Sequence, residues 1–228
     1  MARDIPQSES ELLARARSLS GRTIEWVAQS IAWKTPDDQK RAKGFVGQLL
    51  EEILGATAGS RAKPDFPHIG VELKTIPVSE TGKPLESTFV CTAPLDAPAK
   101  TDWSTSWVRA KLARVLWVPI VGKKSVPLGK RQIGTSFMWS PSTEDDICLG
   151  ADWSDLAELV LASQFDRLTA HLGEALQIRP KASNAQQVTE ATDINGDAIL
   201  VGPKGFYLRP SFTEQIIRNV FNSSDKPQ

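Results

Sequence analysis

The sequence predicts an α/β fold in which a mixed sheet is flanked by helices. Residues Gly70–Val78 are rich in β-forming side chains, which predicts a strand. Residues Val115–Val121 form a near-continuous apolar run, as expected for a strand at the buried centre of a mixed sheet. Ahead of these strands, the residues up to Leu54 repeat their apolar positions at helical spacing, which predicts a helix.

Three helices are expected in the first part of the chain. Ser8 and the glutamates after it predict a helix start, and this helix runs to about Ser18. A second helix is expected from Thr23 to about Ile31. A third is expected from about Gln39 to Leu54, with an apolar face that consists of Phe45, Leu49, Leu50 and Leu54.

Strands and helices alternate in the rest of the chain. In chain order, strands are expected at Gly70–Val78, Glu86–Ala93, Val115–Val121 and Gln132–Trp139. A helix is expected at Asp152–Leu168, with the side chains of Leu156, Val160 and Leu161 pointing inward. After it we expect a strand leading into Ile178–Lys181, a helix at Ala185–Ala191, strands at Ala198–Val201 and Gly205–Leu208, and a helix at Ser211–Phe221. Residues Asp193–Asp197 are expected to form a hairpin turn, and the two strands after it are expected to pair. The segment Arg109–Arg114 is compatible with a helix or a strand.

One short motif carries chemistry. Pro64 and Asp65 precede the Gly70–Val78 strand, and Glu72 and Lys74 lie two residues apart on it. Side chains two apart on a strand point to the same face. A Pro-Asp pair followed by Glu-x-Lys on a strand is typical of restriction-endonuclease-like nucleases.

These residue types suit the hydrolysis of a phosphodiester bond. Two neighbouring carboxylates repel each other, which favours a divalent cation between them. Because hard oxygen ligands favour Mg²⁺, Asp65 and Glu72 are the expected metal ligands. Lys74 is expected to hold the attacking water and to stabilise the transition state. The alternative is an ordinary Glu/Lys pair on a solvent-facing strand, since so short a motif often occurs by chance.

Six blocks of sequence resemble, in the same order, the MutH family of strand-nicking endonucleases of methyl-directed DNA mismatch repair. They are KGFVGQLLEEILGATAGS (Lys43–Ser60), GVELKTIPV (Gly70–Val78), PLESTFVCTAPL (Pro84–Leu95), RVLWVPI (Arg114–Ile120), QIRPKASNA (Gln177–Ala185) and GFYLR (Gly205–Arg209). The resemblance extends over nearly the whole chain and is far more specific than the motif alone. A type II restriction enzyme of the same fold is expected to share the motif and little else.

The resemblance implies a Mg²⁺-dependent endonuclease that nicks the unmethylated strand of double-stranded DNA at hemimethylated or unmethylated GATC sites, 5′ to the G. It implies activation by the repair protein MutL. It also implies that Glu51 turns inward as a further acidic group at the metal site, with Glu52 as its surface neighbour; helical spacing does not separate the two. Lys111 is implied to be a second active-site lysine that stabilises charge at the phosphate.

Residues that read DNA are implied in the second half of the chain. By resemblance, Arg179 and Lys181 contact the site, Tyr207 lies beside the adenine, and Phe89 lies near the DNA. On the residues alone, Tyr207 is also compatible with an ordinary strand aromatic. Lys43 is a candidate phosphate contact near the start of the third helix.

The charges are unevenly distributed although the formal net charge is zero. Residues 103–131 contain seven basic and no acidic residues, whereas residues 141–160 contain six acidic and no basic ones. A basic face can bind a polyanion even when the net charge of the protein is not positive. We expect the acidic run to be solvated surface. For the basic run, DNA binding is favoured over solvated surface because of the nuclease motif.

The composition indicates the cellular compartment in which the protein is expected. No apolar run approaches the length of a membrane span, and the first residues lack a signal-peptide core. Two cysteines among 228 residues argue for a reducing compartment. We therefore expect a cytoplasmic monomer that does not associate with a membrane.

We expect residues 1–228 to form a single endonuclease domain with two lobes around a DNA cleft. Its catalytic core would span about residues 40–125 and its DNA-reading part about residues 175–221. One alternative is a type II restriction endonuclease that cuts both strands as a dimer without MutL. Another is a catalytically inactive DNA-binding module, which the presence of Asp65, Glu72 and Lys74 disfavours.

Overall fold

The computed structural model of the chain describes residues 4–37, 44–59, 61, 63–95, 102–181, 187–193 and 195–223. Its helices are α1 (Glu9–Ser18), α2 (Ile24–Gln29), α3 (Phe45–Leu54), α4 (Trp107–Leu112), α5 (Thr143–Leu161) and α6 (Pro210–Ser223). Its strands are β1 (Glu72–Val78), β2 (Thr88–Thr92), β3 (Val115–Val121), β4 (Gln132–Ile133), β5 (Phe137–Trp139), β6 (Leu176–Pro180), β7 (Thr189–Thr192), β8 (Ala198–Val201) and β9 (Lys204–Leu208). The described residues fall into two compact units, one within residues 1–86, 113–140 and 214–228 and the other within residues 87–112 and 141–213.

The first unit contains a mixed sheet, as the sequence predicts. Strand β1 runs parallel to β3, and both β4 and β5 run antiparallel to β3. The expected continuous strand at Gln132–Trp139 is wrong, because it is split into β4 and β5. Pro119 in β3 has no N–H to donate to a neighbouring strand. The residues between β4 and β5 leave the regular ladder there, and the Gly134 N–H donates to the Pro119 carbonyl oxygen, at 2.8 Å.

Helices α1 to α3 cover one face of this sheet. Leu73 of β1 and Leu116 of β3 are register partners and belong to the same buried cluster as Leu12 of α1 and Leu50 of α3. Since successive side chains on a strand point to opposite faces, the side chains of β1 next to Leu73 point away from these helices. Glu72 and Lys74 therefore lie on the face that α1 to α3 do not cover.

The ends of these helices follow from local capping. The Ser8 hydroxyl accepts the Glu11 N–H at the start of α1, as predicted. The expected start of the third helix at Gln39 is wrong: α3 begins at Phe45, because Gly44 has a left-handed backbone with φ of 85° that a continuous right-handed helix cannot contain. Residues 39–43 lie outside the described part of the chain.

The second unit contains a three-stranded antiparallel sheet in the order β2-β9-β6 and a separate hairpin of β7 and β8. The expected pairing of Ala198–Val201 with Gly205–Leu208 is wrong, since both edges of β9 are occupied by β2 and β6. The predicted turn after β7 is confirmed, with the Asp193 N–H donating to the Asp197 carbonyl oxygen. This turn joins β7 to β8. The helix expected at Ala185–Ala191 is also wrong in the part of it that the structure describes, because residues 189–191 belong to β7, which pairs with β8.

Helix α5 is shifted toward the N-terminus from its predicted position at Asp152–Leu168. It begins at Thr143 because Ser142 and Asp145 form a capping box, each side chain accepting the backbone N–H of the other. It ends at Leu161, close to Ser163, whose φ of 52° is left-handed. Leu156 and Val160 are buried as expected. Leu161 is not inward but 53% exposed, because it follows Val160 directly and each residue turns an α-helix by about 100°, away from the face that Leu156 and Val160 share.

Helix α6 confirms the closing helix expected at Ser211–Phe221. Among the described helices, none has the length and apolarity needed to cross a membrane.

Candidate active site

Glu72 and Lys74 lie on the same face of β1 and are both buried, at 5% and 7% exposure. The Lys74 Nζ lies 3.2 Å from the Glu72 Oε1, which is a hydrogen-bonded ion pair. Burial contradicts the alternative of a solvent-facing surface pair. A charged pair removed from water costs desolvation energy, so its presence favours a functional role over a stabilising one.

Asp65 is held beside the first residues of β1. Phe66 and Val71 form an antiparallel bridge. Asp65 precedes Phe66 and Glu72 follows Val71, so the antiparallel arrangement places Asp65 and Glu72 opposite each other. The Asp65 Oδ2 accepts the Leu73 N–H at 2.8 Å. Its carbonyl oxygen accepts the Thr57 N–H at 3.0 Å. The backbone therefore places the carboxylate of Asp65 next to the strand that carries Glu72 and Lys74.

Glu51 lies on α3, whose buried leucines share a core with Leu73 of β1. Glu51 is half-buried, whereas Glu52 is exposed. Five charged residues are expected at the metal site. Four of them belong to the first unit, namely Glu51, Asp65, Glu72 and Lys74, and the fifth is Lys111.

The donor set fits a hard divalent cation that keeps part of its water shell. Within the described ranges, no group of three or more Cys, His, Asp or Glu side chains is arranged to hold a metal ion by itself. Mg²⁺ does not need such a cage, because it is commonly held by one or two carboxylates together with waters and substrate phosphate oxygens. Asp65 and Glu72 supply the carboxylates that this mode requires.

Trp117 is a residue of this face that the sequence analysis did not single out. It is the register partner of Lys74 on β3, is fully buried, and packs edge-on against Trp139. The apolar run of β3 predicted its burial. Only the strand register shows that it lies beside Lys74.

Lys111 lies on α4, in the second unit, so the helix alternative for this segment is correct. Its Nζ lies 5.1 Å from the centre of the Trp107 ring, a cation–π contact. The structure therefore does not place it in the unit that holds Asp65 and Glu72.

The basic run is less available to a polyanion than its composition indicates. Four of its cations form ion pairs with carboxylates in the structure. These are Arg109 with Asp146, Arg114 with Glu9, Lys124 with Glu86, and Lys130 with Glu25. Asp146 belongs to the acidic run, which is therefore not purely solvated surface.

The four residues expected to read DNA are brought together on one face of the β2-β9-β6 sheet. Phe89 of β2 is the register partner of Tyr207 on β9, and their rings meet edge to face with centroids 5.3 Å apart. The Lys181 Nζ lies 5.3 Å from the Phe89 ring centre. The Arg179 guanidinium lies 5.9 Å from the Tyr207 ring centre. We call these four residues (Lys181, Phe89, Tyr207 and Arg179) the aromatic–cation row.

Two hydroxyls hold the cations of this row. The Arg179 guanidinium donates to the Ser87 hydroxyl, and the Lys181 Nζ donates to the Thr92 hydroxyl at 2.7 Å. Burial raises the pKa of the Tyr207 phenol, and the nearby Arg179 guanidinium opposes part of this rise. Sequence reasoning missed Ser87 and Thr92, because both lie far along the chain from the cations they hold.

Gln177 is a further residue that sequence reasoning missed. It is only 4% exposed and is the register partner of Tyr207 on β6. Lys43, the candidate phosphate contact, lies outside the described residues.

Known proteins resemble this chain over nearly its whole length. The family profile described as "DNA mismatch repair enzyme MutH" matches residues 54–152, which include Asp65, Glu72, Lys74 and Lys111. The "DNA mismatch repair protein MutH" of Vibrio vulnificus is 51% identical over 219 residues, which cover 96% of each chain. The protein of the same description from Salmonella paratyphi B is 50% identical over 216 residues, covering 95% of this chain and 94% of its own. The chain therefore belongs to the MutH family of DNA mismatch repair enzymes.

Proposed function

We propose that this chain is the Mg²⁺-dependent endonuclease that nicks the unmethylated strand at hemimethylated GATC sites, 5′ to the G, in methyl-directed mismatch repair. The observation that carries the proposal is the buried Glu72–Lys74 pair on β1, with the Asp65 carboxylate held beside it. Unmethylated GATC sites are substrates as well. Both units act as one endonuclease domain, with a catalytic core of about residues 40–125 and a DNA-reading part of about residues 175–221.

Phosphodiester hydrolysis forms one P–O bond from water and breaks another, while negative charge accumulates on the phosphorus oxygens. Asp65 and Glu72 would hold Mg²⁺, with Glu51 assisting, and the bound cation would supply positive charge against that accumulation. Lys74, fixed by its ion pair with Glu72, holds the attacking water and stabilises the transition state. Lys111 contributes positive charge at the phosphate.

The aromatic–cation row reads the DNA. Arg179 and Lys181 contact the GATC site, Tyr207 lies beside the adenine, and Phe89 lies near the DNA. Methylation replaces one donor hydrogen of the adenine N6 amino group with an apolar methyl, which a side chain packed against that group can detect. Lys43 contacts a phosphate. The proposal is supported by the finding that the four residues of the row share one face of one sheet.

The enzyme acts as a monomer and is switched on by MutL. Nicking of a supercoiled plasmid with a GATC site and Mg²⁺ tests the proposal against its alternatives. A relaxed circle is expected. A linear product would instead indicate a type II restriction endonuclease of the same fold, and an unchanged plasmid a binding module without activity.

Conservative substitutions test the assigned ligands. Asp65→Asn and Glu72→Gln should each abolish nicking at every Mg²⁺ concentration while leaving the protein folded, since an amide keeps the shape but removes the charge that attracts the cation. Glu52→Gln, on the exposed neighbour of Glu51, is the matched control and should nick at the wild-type rate. More than trace nicking by Asp65→Asn would rule out its role as a metal ligand.

A further inference from the structure

Gly205 occupies a position in β9 where glycine is costly. Glycine weakens a strand because it has high backbone entropy and no side chain to pack. Gly196, in the turn between β7 and β8, is in the left-handed region that favours glycine, with φ of 89°. The backbone of Gly205 is not in that region. Any residue could adopt this backbone conformation, so another reason must account for a glycine at this position.

The space above Gly205 supplies that reason. A Cβ at this position would lie 2.8 Å from the Phe89 Cε2, a distance that real Cβ contacts essentially never show. It would also lie 3.3 Å from the Tyr207 Cε2 and 3.2 Å from the Cys91 carbonyl oxygen. The Phe89 ring therefore occupies the volume that a side chain at position 205 would need.

The position of the Phe89 ring determines the rest of the aromatic–cation row. The ring meets Tyr207 edge to face and receives the Lys181 ammonium over its own face. A β-bulge between Phe89 and Cys91 changes the register of β2 at this point. Gly205 lies directly beneath the ring and is also the register partner of Thr92, which holds Lys181.

We propose that Gly205 is a specificity-positioning residue, because its missing side chain allows the Phe89 ring to lie across β9 against Tyr207 in the arrangement that distinguishes methylated from unmethylated adenine. The inference rests on the proposed function for its consequence in DNA reading. Its structural part, the placement of the ring, can be measured without DNA.

Gly205→Ala is the test variant, and Gly202→Ala is its matched control. Gly202 lies just before β9, and a Cβ there would meet no atom within 4 Å. Tyr207 is the only tyrosine in the chain, so selective labelling of tyrosine gives ring signals from this side chain alone in NMR spectra at neutral pH. Gly205→Ala should shift the Tyr207 ring signal as the Phe89 ring moves away, whereas Gly202→Ala should leave it unchanged.

The same substitution in a Phe89→Leu background identifies the cause. Leucine lacks the Cε2 atom that a Cβ at position 205 would meet, so Gly205→Ala should cause little further shift there. A Gly205→Ala variant that is destabilised should likewise recover its melting temperature in the Phe89→Leu background. Equal effects in both backgrounds, or no shift in the wild-type background, would overturn the positioning role.

The consequence for specificity is measured as the ratio of nicking rates on hemimethylated and fully methylated GATC plasmids. Gly205→Ala should lower this ratio by roughly twofold to tenfold, the size of one edge-to-face aromatic contact. An unchanged ratio with a shifted Tyr207 signal would overturn the specificity role. A wild-type protein that does not distinguish the two plasmids would overturn the proposed function and with it the specificity role, whatever the NMR result.

Discussion

Glu72 and Lys74 show how burial changes the meaning of a common residue pair. On an exposed strand, such a pair contributes little, since water screens both charges. Here both side chains are nearly inaccessible, and Lys74 is flanked in the sheet by the buried ring of Trp117. In this environment each charge acts strongly on the other and on any phosphate that approaches, which is the condition for electrostatic catalysis.

Tyr207 allows a test of methylation sensing by a single residue. Tyr207→Ala should narrow the difference in nicking rate between hemimethylated and fully methylated DNA, because the proposed contact of this side chain with the adenine N6 group is lost. A lost base contact costs roughly 1–3 kcal/mol in discrimination. Tyr207→Phe keeps the edge-to-face contact with Phe89 and separates the role of the hydroxyl from that of the ring.

The rates of these Tyr207 variants on unmethylated DNA serve as the control. They should fall less than the discrimination does. If nicking of both substrates falls by the same factor, Tyr207 is a structural residue and the methyl group is sensed elsewhere.

At the scale of elements, the start of β6 is fixed by a buried carboxylate of α5. Asp152 accepts the backbone N–H groups of Glu174, Ala175 and Leu176 at 2.7–3.0 Å. Gly173 is required beside it, since a Cβ there would lie 1.9 Å from the Leu176 carbonyl oxygen. This contact sets where β6 begins and therefore where Gln177 and Arg179 stand against β9.

Asp152→Ala should destabilise the protein by roughly 3 kcal/mol, because several buried N–H groups lose a charged acceptor. Asp155→Ala is the matched control, since Asp155 is exposed on the same helix and its loss should change stability by less than about 0.5 kcal/mol. Urea unfolding of both variants measures the difference. Equal losses would mean that Asp152 does not anchor β6.

At the scale of the whole molecule, the charge balance predicts weak nonspecific affinity for DNA. The net charge is zero, and four cations of the basic run are paired with carboxylates. Nonspecific affinity comes mainly from cations that displace counterions from phosphates, and it falls steeply as salt rises. The proposed activation by MutL would compensate for this weak affinity at physiological salt.

We therefore expect low nicking activity at physiological salt, raised many-fold when MutL and ATP are added. Reactions with MutL alone control for any nuclease activity of the partner. The partner effect should shrink at low salt, where electrostatic attraction to DNA is stronger. Equal rates with and without MutL at physiological salt would favour the restriction-enzyme alternative.

The sequence alone determined the features that depend on neighbouring residues. The apolar run Val115–Val121 coincides with β3 along its full length. Ser8 caps α1 through an N–H three residues away. The shared face of Glu72 and Lys74 follows from the alternation of side chains on a strand. Each of these depends on backbone geometry over a few residues, so it can be predicted without knowledge of the partners.

The tertiary structure decided which strands pair and which side chains meet. Strand β9 pairs with β2 and β6 and not with the adjacent β8, because only the folded chain determines which elements occupy its two edges. Burial of the Glu72–Lys74 pair depends on β3, and the need for glycine at position 205 depends on a ring from β2. Such contacts join residues that are distant in sequence, and short-range patterns carry no information about them.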